Sequence, residues 1–140
     1  MDSVVLDTNV VLDFFSATRL DHDLGVSLMQ ALQVSDVDIH VVATSLKDIY
    51  YILSHSEGES VARAAVTLIL ATMSVLPVDE NCCNRALNSG EPDFEDGIIR
   101  VAAETARVDY LISRDARAFV GCLVPRLSPA DALRELKLRS

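Results

Sequence analysis

Residues 92–97 read PDFEDG and place the carboxylates of Asp93, Glu95 and Asp96 at the point where an apolar helical pattern begins. Like charges at such spacing repel each other by roughly a few tenths of a kcal/mol per pair. The cluster therefore weakens the fold unless something neutralises it. Two partners could do so, because a helix N-terminus favours nearby negative charge and a divalent cation favours carboxylate oxygens.

Each acidic residue that could do chemistry also has a structural interpretation. Asp93 can be an N-cap, with Asp96 three residues later near the positive end of the helix dipole. Asp7, in VVLDTN, can cap the next helix, and Asp115, in LISRD, can cap the short turn ARAF. Asp48 can be a charge near a helix start. Taken singly, none of these residues indicates a site.

The elements that must position these residues follow from hydrophobic periodicity, which alternates between short apolar runs and helical patterns. This alternation predicts the α/β class, with a mostly parallel sheet covered by helices on both faces. The predicted strands are residues 3–6, 39–43, 74–78, 109–113 and, more weakly, 122–127. The predicted helices are residues 9–17, 23–33, 45–54, 59–73, 80–88 and 94–108. We find no repeat or linker, so residues 1–140 are predicted to form a single domain.

In such sheets, ligands bind outside the carboxyl ends of the strands, where the strand order reverses. Asp7 follows the first predicted strand and Asp115 follows the fourth. Asp48 lies early in the helix after the second strand, and Asp93 and Asp96 open the helix that leads into the fourth. We therefore expect these carboxylates at one sheet edge, where they would raise each other's pKa unless a cation binds. Hard oxygen ligands select Mg²⁺ or Mn²⁺ over zinc.

Charge is distributed unevenly along the chain. The net charge is −9, which argues against a broad basic face for nucleic acid. Residues 1–96 contain sixteen acids and four bases, whereas residues 97–140 contain five acids and eight bases. A basic region could thus lie beside the acidic edge, although a solvated helical surface also explains most single arginines.

Cysteine usage and hydropathy restrict the compartment. The three cysteines are odd in number and two are adjacent, and we see no secretory leader, so we expect neither a disulfide framework nor a zinc site. The uncharged apolar stretch at residues 64–78 is shorter than the roughly 20 residues that a membrane helix needs. We expect a cytoplasmic protein with no membrane partner.

Three segments, VVLDTNVVLDFF, TSLKDIYYIL and DFEDGIIRVAAETARVDYLISRD, occur in an order and spacing that resemble the PIN-domain family of metal-dependent ribonucleases. The similarity is greatest to the bacterial branch that includes toxins of toxin–antitoxin pairs. It covers nearly the whole chain, and the last segment is its most specific part. The resemblance implies a PIN-like α/β/α sandwich with a parallel sheet of about five strands, order 3-2-1-4-5. It also implies an RNA substrate, a cognate antitoxin protein and a homodimer.

The resemblance also implies roles for the acidic residues. Asp7, Asp96 and Asp115 match the family's acidic site, as catalytic residues and as ligands of Mg²⁺ or Mn²⁺. Asp93 matches a frequent extra carboxylate of the metal site. Asp48 takes the catalytic position where the family usually has glutamate. Because aspartate is one methylene shorter, Asp48 is expected to reach a metal only through water, which leaves weaker or altered activity open.

The remaining predicted site residues surround these acids. Asn9 and Ser113 match small polar residues that orient the acids or the attacking water. Arg114 and Arg117 flank Asp115 and are predicted to bind RNA. The chemistry implied is hydrolysis of a phosphodiester, in which a metal ion activates water and stabilises charge on the phosphate.

Two alternatives remain. An aspartyl phosphatase of the haloacid dehalogenase type also has an aspartate after its first strand, but it needs a second one at the position of Asn9. The sequence therefore fits it poorly. The other alternative is a catalytically weak or silent PIN-like domain that acts as a binding module, and Asp48 is the residue that favours it.

Overall fold

The computed structural model describes residues 1–139. Within them the chain forms one sheet and seven helices. The strands are β1 (Ser3–Leu6), β2 (Asp38–Val42), β3 (Ser74–Leu76), β4 (Tyr110–Ile112) and β5 (Arg126–Leu127). The helices are α1 (Thr8–Phe15), α2 (His22–Val34), α3 (Ala43–Ser56), α4 (Glu59–Thr72), α5 (Glu80–Leu87), α6 (Phe94–Ala106) and α7 (Pro129–Arg139).

The sheet is parallel throughout and has the order β3-β2-β1-β4-β5, so the predicted fold class and strand order are confirmed. The chain moves outward from β1 to β3 and then returns to the other side of β1 to form β4. The order therefore reverses between β1 and β4. In the central register, Val5 of β1 lies between His40 of β2 and Leu111 of β4.

Alternating side chains of β1 divide the core into two layers. Val4 and Leu6 face a cluster built with α1, α2, α3, α4 and α7. Val5 faces the other side, where it packs with residues of α5 and α6. Both faces of the short central strands are thus buried, which is the condition under which parallel sheets form. This burial fixes the strand ends that carry the candidate site.

The last predicted strand, residues 122–127, is largely wrong, because only Arg126–Leu127 pair as β5. The segment before β5 is held by side chains instead of a strand ladder. Arg100 Nη1 donates to the Val120 carbonyl at 2.8 Å, and Glu104 Oε2 accepts from the Leu123 N–H at 2.9 Å. These contacts satisfy backbone groups locally, so no extended pairing is needed.

The periodicity did not predict α7. The helix buries few side chains, among them Ala132 and Leu136, so its apolar stripe is weak. Its start was nevertheless encoded: Ser128 Oγ accepts the Asp131 N–H at 3.1 Å, and Pro129 occupies the first helical position.

No helix within residues 1–139 is long and apolar enough to cross a membrane. The uncharged stretch at residues 64–78 is divided between α4 and β3.

Candidate active site

The adjacent strands β1 and β4 deliver two carboxylates to the same edge. Asp7 leaves β1, and its N–H donates to the Ile112 carbonyl at 3.0 Å, which extends the pairing by one residue. Beyond Ile112, Ser113 Oγ donates to Asp7 Oδ2 at 2.7 Å and accepts the Asp115 N–H at 3.1 Å. The Ser113 hydroxyl therefore links the two strand ends and fixes the Asp7 carboxylate.

Asp7 is 7% exposed and also forms the N-cap of α1, where Oδ1 accepts the Thr8 N–H at 2.8 Å. Burial raises the pKa of the Asp7 carboxyl, and the hydrogen bonds from Ser113 and Thr8 oppose that rise. The charge of Asp115 raises the pKa further, and the charge of Arg114 lowers it. Asp7 thus caps a helix and still carries an ionised state that its surroundings disfavour.

Helix α6 brings the second set of carboxylates. Asp93 is its N-cap, and Oδ1 accepts the N–H groups of Glu95 at 2.8 Å and Asp96 at 3.2 Å, so the capping interpretation of Asp93 holds. Burial raises the pKa of Asp96 to about 7. The neighbouring carboxylates act in the same direction, namely Asp7, Asp93, Asp115 and Glu91. We call Asp7, Asp93, Asp96 and Asp115 the acid cluster.

Gly97 allows α6 to approach α5 closely. A Cβ atom at this position would lie 2.8 Å from the Ala86 carbonyl oxygen and 3.2 Å from Ser89 Oγ. A larger residue would push the first turn of α6 outward, and with it Asp96. The glycine of the PDFEDG run therefore positions the helix that carries the carboxylates.

Asp48 lies in the second turn of α3 and interacts with Glu95, which we did not predict as a site residue. Burial raises the pKa of Glu95 to about 7, and a hydrogen bond with Asp48 and the charge of Asp48 contribute next. Glu95 Oε1 also lies 3.4 Å from Thr8 Oγ1, which in turn lies 2.8 Å from Ser45 Oγ. The sequence signal for Glu95 was its place beside Asp96 in the first turn of α6.

Arg114 has different partners from those expected of an RNA-binding side chain alone. Its Nε donates to Asp13 Oδ2 at 2.8 Å, and its Nη1 lies 3.4 Å from Asp21. The same Asp13 binds Arg19, whose Nε lies 2.9 Å from Oδ1. Arg117 is exposed, and its N–H donates to Asp115 Oδ1 at 2.9 Å, which is the turn-capping contact expected for Asp115.

Asn9 is held by an arginine rather than by the acids. Its Oδ1 accepts from Arg19 Nη2 at 2.9 Å. Asn9 nevertheless lines a cavity of about 130 Å³ together with Asp7, Arg114 and Asp115, which we call the acid pocket. Neither Asp13 nor Arg19 was predicted. The one sequence signal for Asp13 is a charge inside the apolar run VVLDFF.

The acid cluster fits a divalent cation in its chemistry. Its donors are carboxylate oxygens, which hard cations such as Mg²⁺ and Mn²⁺ prefer. Burial, and after it the charges of the neighbouring carboxylates, raises the pKa of Asp96, so its ionised form is disfavoured there without a cation. As the side chains stand, no three His, Cys, Asp or Glu residues within 1–139 are arranged to hold one ion. An ion shared by these carboxylates would therefore require rotation of their side chains.

The fold and the strand-end acids define a class. The profile of the PIN domain family matches residues 3–117, and the chain belongs to this family. Ribonuclease VapC1 of Aquifex aeolicus is 22% identical over 119 residues, which cover 81% of this chain and 82% of that protein.

Solved structures share the fold. A toxin–antitoxin complex from Klebsiella pneumoniae has 19% identity and a TM-score of 0.68, covering 90% of this chain and 97% of the matched chain. Mycobacterium tuberculosis VapC20, described as a toxin that cleaves the sarcin–ricin loop, has 16% identity and a TM-score of 0.65, covering 77% and 86%. At these identities the structural similarity concerns the fold.

Proposed function

We propose that this chain is a metal-dependent endoribonuclease that hydrolyses RNA phosphodiester bonds and acts as the toxin of a toxin–antitoxin pair. The observation that carries the proposal is the acid cluster at the reversal between β1 and β4. Its carboxylates come from distant segments, and their charges add to burial in raising the pKa of Asp96. Family membership supports the reaction type. The names of a ribonuclease relative and of toxin structures support the RNA substrate and the antitoxin partner.

In this proposal Asp7, Asp96 and Asp115 hold Mg²⁺ or Mn²⁺, and Asp93 contributes at the edge of the site. A bound ion would supply an activated water and neutralise charge on the phosphate oxygens. Ser113 and Thr8 fix the Asp7 carboxylate by hydrogen bonds, which restricts its rotation before a ligand arrives. Arg114, on the wall of the acid pocket, offers a cation to the phosphate.

Asp48 has a less direct role in the proposed site. Asp48 interacts with Glu95, whose Oε1 lies 3.4 Å from Thr8 Oγ1 at the side of the acid cluster. We propose that Glu95 extends the reach of the shorter Asp48 toward the cluster.

The proposal is tested with purified protein and single-stranded RNA in Mg²⁺ or Mn²⁺. We expect cleavage that EDTA abolishes, and a loss of about a hundredfold or more in Asp7→Asn, the scale for a disrupted metal site. Asp36→Asn is the matched control. Asp36 is exposed at the amino end of β2, has a φ of 55°, and tolerates asparagine in that conformation. Unchanged cleavage in excess EDTA would refute the proposal.

The second candidate is a weak or silent PIN-like domain that acts as a binding module. One observation favours it. Asp48 stands where the family usually has the longer glutamate, and it pairs with Glu95 instead of the acid cluster. Calorimetry with Mn²⁺ separates the candidates, because absent binding would favour the silent module.

Partner and compartment remain proposals. We propose a cytoplasmic protein whose antitoxin is encoded by a small open reading frame directly upstream, and co-purification after co-expression would test that pairing. The homodimer stays a prediction, which light scattering would check.

A further inference from the structure

Two neighbouring cavities share one wall. The acid pocket is lined by Asp7, Asn9, Arg114 and Asp115. Arg114 also lines an open groove of about 350 Å³ beside α1 and α2. The other residues of that groove are Asp13, Thr18, Arg19, Leu20 and Asp21, and we call it the arginine groove. A chain-like ligand that enters the acid pocket can therefore continue across Arg114 into this groove.

A buried aspartate, Asp13, holds the two arginines of the arginine groove. Asp13 is 3% exposed, and both of its carboxylate oxygens are used. Oδ1 accepts from Arg19 Nε at 2.9 Å and lies 3.4 Å from Arg114 Nη2, while Oδ2 accepts from Arg114 Nε at 2.8 Å. One buried carboxylate thus pairs with two guanidinium groups. The remaining positive charge is shared between Asp21 at the surface and the carboxylates of the acid pocket.

The acid that pairs with Arg114 at the surface is Asp21, and this ion pair is weak. Its side chain is 41% exposed, and it meets Arg114 Nη1 at 3.4 Å without a second contact among residues 1–139. Exposed pairs of this kind contribute little, at most about 1 kcal/mol. A stronger anion can therefore displace Asp21.

The two guanidinium groups are held in place before any ligand arrives. Arg19 is anchored by Asp13 and by Asn9 Oδ1, and its side chain is 27% exposed. Arg114 is anchored by Asp13, and its side chain is 35% exposed. Fixed guanidinium groups lose little side-chain entropy on binding, and their planar N–H groups match the oxygens of a phosphate.

We infer that Arg19 and Arg114 form a subsite for a phosphate of the RNA strand, next to the phosphate cleaved in the acid pocket. This inference rests on the proposed function. In it, Asp13 is a positioning residue that holds both guanidinium groups, and Asp21 is a competing anion at the mouth of the groove. The ligand is single-stranded RNA because a nucleic-acid strand can place consecutive phosphates in two adjoining cavities and RNA is the substrate of the proposed function.

The experiment measures binding of a short single-stranded RNA by fluorescence anisotropy over a series of salt concentrations in EDTA. Arg19→Gln should weaken binding by roughly fivefold and reduce the salt slope by about one. Arg19→Lys should retain most of the slope, because it keeps the charge. Asp21→Asn should strengthen binding by roughly threefold, since it removes the competing anion.

The matched control is Arg63→Gln. Arg63 is an exposed arginine of α4 that pairs only with Glu59 among the acids of residues 1–139, and it should leave affinity and slope unchanged. In Mn²⁺, Arg19→Gln should raise the KM of cleavage and leave kcat nearly unchanged, which a general loss of structure would not do.

The inference is overturned if Arg19→Gln keeps the wild-type slope or if Asp21→Asn fails to strengthen binding. Asp21→Asn tests the subsite even if Arg19→Gln does not fold, because it alters only the partly exposed ion pair between Asp21 and Arg114. If the wild type cleaves and binds RNA while the variants match it, the subsite alone is wrong. If the wild type neither binds nor cleaves RNA, the proposed function fails as well.

Discussion

Helix α1 has a buried aspartate at each end, and the two have different surroundings. Asp7, the N-cap, accepts hydrogen bonds from a hydroxyl and a backbone N–H. Burial and the charge of Asp115 raise its pKa, and the more weakly acting charge of Arg114 lowers it. Asp13, in the last turn, meets two guanidinium groups. A buried carboxylate that is balanced by the protein itself belongs to the scaffold. One that is only partly balanced, where the strand order reverses, is where we propose that an external cation binds.

Packing does not explain the difference between the region around the acid cluster and the region around Asp13. A Cβ at Gly97 would lie 2.8 Å from the Ala86 carbonyl oxygen, and a Cβ at Gly25 would lie 2.9 Å from the backbone nitrogen of Phe14. Each region thus depends on a glycine that lets two helices meet closely. The two regions are equally tight and differ in charge, so substitutions that change charge alone should separate them.

The largest expected effect on stability comes from Asp13→Asn. Removing one member of a buried ion pair typically costs 3–5 kcal/mol, but both arginines here reach water, so we expect a loss of about 2 kcal/mol in the free energy of unfolding. Urea denaturation measures it. Asp131→Asn, which breaks the exposed pair with Arg134, is the control and should change stability by less than about 0.5 kcal/mol. Equal effects of the two substitutions would remove the distinction between Asp13 and a surface charge.

The pH dependence should reveal the unbalanced region. The pKa of Asp96 rises from 3.8 to about 7 and that of Glu95 from 4.5 to about 7 on folding. Between about pH 4 and 7 the folded state therefore binds more protons than the unfolded state, so stability falls as pH rises through this range and levels off above it.

We expect the metal-free protein to be less stable at about pH 8 than at about pH 5 by about 1–2 kcal/mol, a value reduced for solvent screening of partly exposed groups. Thermal melts in EDTA across this range measure the change. Constant stability between these pH values would show that neither burial nor the neighbouring charges disfavour the ionised carboxylates.

Much of this arrangement was predictable because it depends on local pattern. Apolar runs located β1 and β4, and the parallel topology then placed Asp7 and Asp115 at one edge. The pairing of Asp48 with Glu95 and the binding of two arginines by Asp13 depend on side-chain contacts between distant segments, for which periodicity carries no signal. Helix α7 was missed although Ser128 and Pro129 mark its start, because its apolar stripe is weak.

The central claim is that the acid cluster is a cation site and more than a helix start, and Asp96→Asn tests it most directly. The measurement is the free energy of unfolding in EDTA, with RNA cleavage in Mn²⁺ on the same protein. We predict a metal-free protein more stable by on the order of 1 kcal/mol, after discounting for solvent screening, and cleavage reduced about a hundredfold or more. If Asp96 only supports the helix dipole, asparagine forfeits roughly 0.3–1 kcal/mol. A variant that is less stable and fully active would contradict the account.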